Sequence, residues 1–179
     1  RYGLPLEEAR RTLKAAYDEL GEYVPEWYDI KYWFSRFGLG EGWGELLREW
    51  SGHIEFYPEV PEVLGELSGR YELVLITNAC REFAEVEIAP LRGYFTRIIS
   101  CVSDFGEVKC SPAFYERVCR ALGRTPEEIV HVGDHWEFDF LAPRRQGIEA
   151  IYLDREGRRN GGFVIRHLGE LPERLGEGP

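Results

Sequence analysis

Hydrophobic positions follow two regimes along the chain. Up to about residue 55 the spacing is helical. Leu6, Leu13 and Leu20 recur every seven residues, Ala9, Ala16 and Tyr17 fill the same face, and Glu7, Glu8, Arg10, Arg11 and Lys14 lie off it. Gly21 and Pro25 end this helix. An aromatic segment follows (Tyr23, Trp27, Tyr28, Tyr32, Trp33, Phe34, Phe37), broken by Gly38, Gly40, Gly42 and Gly44 before a short helix over 45–50. From about residue 56 short apolar runs alternate with helical patterns. Runs at 71–77, 97–102, 128–132, 148–153 and 162–165 predict strands, and 61–67, 111–122, 138–146 and 168–175 predict helices. Thr125-Pro126-Glu127-Glu128 is a capping box with proline at the first helical position. Such alternation predicts an α/β fold, a Rossmann-like parallel sheet covered on both faces, over 56–179, preceded by a small helical domain over 1–55.

Composition narrows the class. The 179 residues are 44% hydrophobic and 30% charged, a globular balance. Thirty-two acids against 22 bases give a net charge of −10, which argues against a nucleic-acid partner. No apolar run approaches the roughly 18 residues of a membrane span, and the opening residues are not a signal peptide, so a cytoplasmic protein is expected. Cys80, Cys101, Cys110 and Cys119 form no C-x-x-C pair, which leaves free thiols in a reducing compartment as the expectation. Asn78, Gln146 and Asn160 are the only amides, while Glu and Arg abound, a pattern of thermophile proteins.

In parallel sheets ligands bind beyond the carboxyl ends of the strands, so chemistry is sought there. Thr77 and Asn78 end the first strand; their hydroxyl and amide can donate to an anionic oxygen or serve an ordinary turn. Lys109 precedes a helix, either to neutralise a phosphate or carboxylate or as a solvated side chain. Gly133 lets the chain turn after the third strand, and Asp134 and Asp139 follow. Two carboxylates at a strand end suit a hard cation such as Mg²⁺, or cap the next helix.

Taken in order, these segments resemble the haloacid dehalogenase superfamily of hydrolases. The resemblance is close over 58–175 and loose over the first 55 residues, which match the helical cap inserted in many members. Residues 75–79 look like the family's second motif. Residues 109–112 look like the third, with Cys110 and Ser111 where proline and aspartate usually stand. Residues 132–139 look like the fourth, and 147–155 like the strand after it. The first motif, Asp-x-Asp with the nucleophile and the general acid–base, has no counterpart; Asp18 and Asp29 lie within the helical segment. The chain opens at Arg1 and contains no methionine, so the nucleophile strand is expected upstream. The alternative is a degenerate, inactive binding module. In the family that strand lies beside those ending at Thr77 and Asp134, and without it both would keep unpaired backbone groups.

The resemblance implies an enzyme in which an upstream aspartate forms an ester intermediate that water hydrolyses. Thr77 and Asn78 would bind the transferred group and Lys109 would stabilise its charge. Asp134 would bind Mg²⁺, and Asp139 would orient Lys109 or a metal-bound water. The family's dehalogenases carry a small polar residue at the position of Asp134. Both acids together therefore favour a Mg²⁺-dependent phosphatase acting on a small organic phosphate, with a 2-haloacid dehalogenase as the alternative. Trp27, Tyr32 and Trp33 are candidates to enclose the substrate, or they pack the cap. His135 could line the entrance, or start a helix. Arg81 could meet a substrate anion. Arg155, Arg158 and Arg159 read as solvated surface.

Overall fold

A computed structural model describes residues 3–110 and 113–176. Helix α1 (Leu6–Leu20) has Glu7 and Glu8 in its first turn, where they complement the helix dipole. Its predicted apolar face is only partly covered. Leu6 and Leu13 are exposed and Ala16 is buried, so packing is confined to the last turns. A 3₁₀ turn over Pro25–Tyr28 leads to α2 (Ile30–Arg36), whose first turn is capped by the Asp29 carboxylate accepting from Lys31 N–H at 2.8 Å. Then come α3 (Trp43–Trp50), α4 (Val60–Ser68) and β1 (Val74–Thr77).

Helix α5 (Arg81–Ile88) is not predicted by the alternation of patterns. Its apolar stripe, Ala84 and Ile88 following Cys80, is diluted by Glu82, Glu85 and Glu87. Strand β2 (Arg97–Ser100) runs into a π-helical turn, Cys101–Phe105. The predicted strand over 97–102 is cut short there because the backbone coils to let Asp104 reach back to Ser100 N–H at 3.0 Å.

Helix α6 (Phe114–Leu122) buries Phe114, Tyr115, Val118 and Cys119 and stops at Gly123, whose φ of 66° is left-handed. The first residues of the predicted helix, Ser111 and Pro112, lie outside the described residues. The capping box at Thr125 forms as expected and leads to β3 (Val130–Gly133). A second π-helical turn, Trp136–Leu141, and α7 (Ala142–Arg145) replace the single helix expected over 138–146. Strands β4 (Glu149–Leu153) and β5 (Val164–Ile165) and helix α8 (Leu171–Leu175) complete the order.

Strands β3, β4 and β5 form a parallel sheet in that order, with Val132 opposite Ile151 and Leu153 opposite Ile165. Strands β1 and β2 pair separately. Among the described residues, β1 and β3 are therefore both end strands. All four residues of β1 are only half-buried, and Val130 in β3 is exposed, although continuous apolar strands of an α/β sheet are usually covered on both faces.

The chain forms two compact units. One comprises 1–54, 76–89 and 99–108, so the N-terminal helices share a unit with two later segments. Its core joins Ile30, Leu47 and Cys80, with Phe34, Trp43, Phe83, Val86 and Val102 packed around them. The other comprises 55–75, 90–98 and 109–179. Its core joins Val63 and Leu67 of α4 to Ile151, Ile165 and Leu171, with a second cluster around Phe140, Ala150 and Tyr152. No helix among the described residues is long and apolar enough to cross a membrane. All four cysteines are free thiols, Cys110 half-buried and the others buried.

Candidate active site

In the second unit three hydrogen bonds converge on the Asp139 carboxylate. Lys109 Nζ donates to Oδ1 at 2.7 Å, His131 Nε2 lies 2.9 Å from the same oxygen, and His135 N–H donates to Oδ2 at 3.1 Å. The Lys109 and Asp139 side chains are 11% and 5% exposed, so this is a buried ion pair. Burial alone would raise the Asp139 pKa. The Lys109 ammonium and the hydrogen bond to His131 more than reverse that and hold it well below the ordinary carboxylate range. Asp139 therefore carries its charge with both oxygens already engaged.

The cluster extends inward. The Tyr115 hydroxyl donates to Phe138 O at 2.7 Å, and its oxygen lies 3.2 Å from His131 Nε2. Lys109 and His131 of β3 thus meet at the carboxylate that Asp139 presents from the π-helical turn, and Tyr115 of α6 backs His131. Gly133, expected to let the chain turn after the third strand, is required here for space. It is not among the glycines with positive φ, and a β-carbon on it would fall 2.4 Å from Asp139 Cγ.

Asp134 differs from Asp139 in every respect. It is exposed and makes no hydrogen bond or ion pair among the described residues. No group of three or more His, Cys, Asp or Glu among those residues is placed to hold a metal ion. One free carboxylate is nonetheless what Mg²⁺ uses when it keeps its waters and takes substrate oxygens. Of the two acids, Asp134 is the one whose carboxylate is exposed with no partner among the described residues, and it could serve as one ligand of such a shell.

His135 starts the π-helical turn. Its Nδ1 accepts from Phe138 N–H at 3.1 Å and its ring stacks on Phe138 at 4.0 Å. The arginines expected to be solvated are partly engaged, because rings and a carboxylate lie within their reach. The Arg159 guanidinium sits 3.5 Å over Trp136. Arg155 sits 3.7 Å over Tyr57 and pairs with Glu59 at 2.7 Å, while Arg158 is exposed beside Glu156.

Thr77 and Asn78 belong to the first unit. Thr77 Oγ1 accepts from Ala79 N–H at 3.1 Å, which leaves its proton free to donate, and Asn78 is buried. The loop is tied to the turn after β2: Ser100 Oγ donates to Ala79 O at 2.8 Å, and Arg81 N–H donates to Ser103 Oγ at 2.9 Å. Arg81 Nη2 lies 2.5 and 2.6 Å from the two oxygens of Asp104, so its guanidinium is already partnered. Trp33 is buried, stacks on Tyr17 at 3.9 Å and donates from Nε1 to Trp27 O at 2.9 Å. Trp27 meets Tyr17 edge-on at 5.1 Å, and half-buried Tyr32 accepts from Arg36 at 3.0 Å. A hollow of about 570 Å³ in this unit is lined by Lys31, Phe34 and Trp43, among others, and by none of these three rings.

Sequence reasoning missed His131, Tyr115, Ser100, Ser103 and Asp104. His131 had a signal: it is the one polar side chain inside the apolar run 129–132, and a buried imidazole needs a partner. Tyr115 lies on an apolar helix face and gives none.

The family model for haloacid dehalogenase-like hydrolases matches residues 4–147, and the chain belongs to that family. A phosphatase of the same superfamily from Thermococcus onnurineus superposes with a TM-score of 0.84 at 26% identity, over 98% of this chain and 83% of that one. A 2-haloacid dehalogenase from Pseudomonas syringae pv. Tomato DC3000 gives 0.59 at 29% identity, over 68% and 53%. A phosphoserine phosphatase from Thermus thermophilus is 29% identical over 102 residues, 55% of this chain and 41% of that protein. The chain spans about two fifths of the length of the curated relatives it matches.

Proposed function

We propose that this hydrolase is a Mg²⁺-dependent phosphatase of a small organic phosphate, acting through an aspartyl-phosphate on a strand upstream of residue 1. The observation that carries this reading is the division of labour between the two acids. Asp139 is buried and spent on Lys109 and His131, while Asp134, five residues earlier, is exposed and has no partner among the described residues. Phosphoryl transfer to a carboxylate gathers negative charge that needs a cation; displacing halide from carbon does not. The phosphatase names of two relatives support the same side. The open edges of β1 and β3 support a further strand.

Thr77 donates its free hydroxyl proton to a phosphoryl oxygen, with Asn78 assisting. Lys109, positioned by Asp139, offsets charge on the nucleophile and the phosphoryl group. Asp134 would hold a Mg²⁺ ion, which would supply the remaining positive charge. Trp27 and Tyr32, with His135 and Arg81, are the side chains proposed to border the substrate.

The second reading is a 2-haloacid dehalogenase, supported by the 29% identity to the Pseudomonas syringae enzyme. The test is hydrolysis of p-nitrophenyl phosphate by the chain together with its upstream strand, in Mg²⁺ and then in excess EDTA. Activity abolished by EDTA is expected. Halide release from a 2-haloacid that EDTA leaves untouched would overturn the phosphatase in favour of the dehalogenase, and inactivity in both assays would leave a binding module.

A further inference from the structure

We propose that His131, held by Tyr115, is a positioning residue that fixes Asp139 and through it the ammonium of Lys109. The inference rests on the reading of Lys109 as the cation that meets the transferred group. A lysine ammonium on a flexible four-carbon stem has many rotamers to lose, so a precise location must be imposed from outside. Asp139 imposes it only if it is itself immobile.

His131 supplies that restraint. The Tyr115 proton is committed to Phe138 O, so both neighbours of His131 Nε2, the phenol oxygen at 3.2 Å and Asp139 Oδ1 at 2.9 Å, are acceptors. Nε2 therefore carries a proton and donates it. Asp139 Oδ1 is then shared between the imidazole and Lys109, and Oδ2 is held by His135 N–H. Turning the carboxylate toward another partner would strand the backbone N–H of His135 and leave the imidazole N–H only its longer contact to Tyr115. His131 is 9% exposed and sits on β3, so the restraint is transmitted from the sheet.

A purely structural role for His131 would affect stability alone, so the test reads position and rate separately. The chain has three lysines, Lys14, Lys31 and Lys109. Selective ¹³C-lysine labelling therefore gives an assignable Lys109 side-chain signal by NMR, whether or not the protein is active. His131→Leu removes the donor, and His131→Gln returns an amide N–H near the place of Nε2. In His131→Leu the Lys109 signal should shift and broaden while those of Lys14 and Lys31 stay. The kcat for p-nitrophenyl phosphate should fall about 10–100-fold with KM within about threefold, in the range for losing an outer partner of an active-site group. His131→Gln should restore most of both, and Tyr115→Phe should fall between. An unchanged Lys109 signal in folded His131→Leu overturns the proposal, as does equal loss in the Leu and Gln variants. If the unsubstituted protein hydrolyses no phosphate while the Lys109 signal still responds, the phosphatase reading fails and the positioning role stands.

Discussion

A β-carbon on Gly133 would lie 2.4 Å from Cγ of Asp139 and 2.6 Å from its Oδ2, closer than such atoms approach. The last residue of β3 is thus matched to the carboxylate six positions later. Gly133→Ala must push Asp139 away from Lys109 and His131 or distort the π-helical turn. We expect a loss of about 1–3 kcal/mol, typical of overpacking, seen as a lower urea midpoint. The Lys109 NMR signal should change as well. Full stability with an unmoved Lys109 would show that the turn relaxes freely.

The charge on Asp139 makes a prediction about acid. Its pKa in the folded protein is depressed from the ordinary 3.8, so the unfolded chain takes up the proton first as pH falls. The stabilisation is complete above about pH 5, starts to fade as pH approaches the unfolded value near 4, and is lost progressively below it. Urea midpoints at pH 7, 5, 4 and 3 should fall steeply at the acid end. Asp139→Asn should start lower at pH 7, by about 3–5 kcal/mol for breaking a buried pair, and show a flatter acid limb.

Asp134 should behave in the opposite way. It is exposed and has no partner among the described residues, so Asp134→Asn should leave stability within about 0.5 kcal/mol of the parent. Mg²⁺ titrated into the parent should raise its melting temperature, and this rise should be reduced or absent in the variant. A variant that keeps the full Mg²⁺ response would remove Asp134 from the cation site.

The sequence revealed the strands well and the site unevenly. Five strand-like runs become five strands because apolar runs bounded by polar residues are a local signal. Lys109 and Asp139, thirty residues apart, were paired only through the family resemblance; no local pattern joins them, and their contact depends on β3 and the turn after it. Tyr115 was invisible because a tyrosine on an apolar helix face reads as packing, and only the fold brings its hydroxyl to His131 and Phe138 O. The π-helical turns were read as strand or helix, because a segment of five or six residues is too short for a change of hydrophobic period to be read. Helix α1 shows the converse. Its heptad of leucines is a strong local signal, yet Leu6 and Leu13 remain exposed.

The aromatic segment separates packing from recognition. Trp33 is 5% exposed, stacked on Tyr17 and tied to Trp27 O through its indole N–H, whereas Tyr32 is half-buried with its hydroxyl accepting from the exposed Arg36. Trp33→Ala would empty a large buried volume and leave Trp27 O without its donor. It should cost about 3–5 kcal/mol, with kcat and KM of the remaining folded protein close to the parent's. Tyr32→Phe removes only a surface hydroxyl and should leave stability within about 0.5 kcal/mol. If Tyr32 borders the substrate, as proposed, this variant should change KM across a panel of organic phosphates without shifting the melting temperature. A KM set by Trp33 and indifferent to Tyr32 would reverse the two assignments.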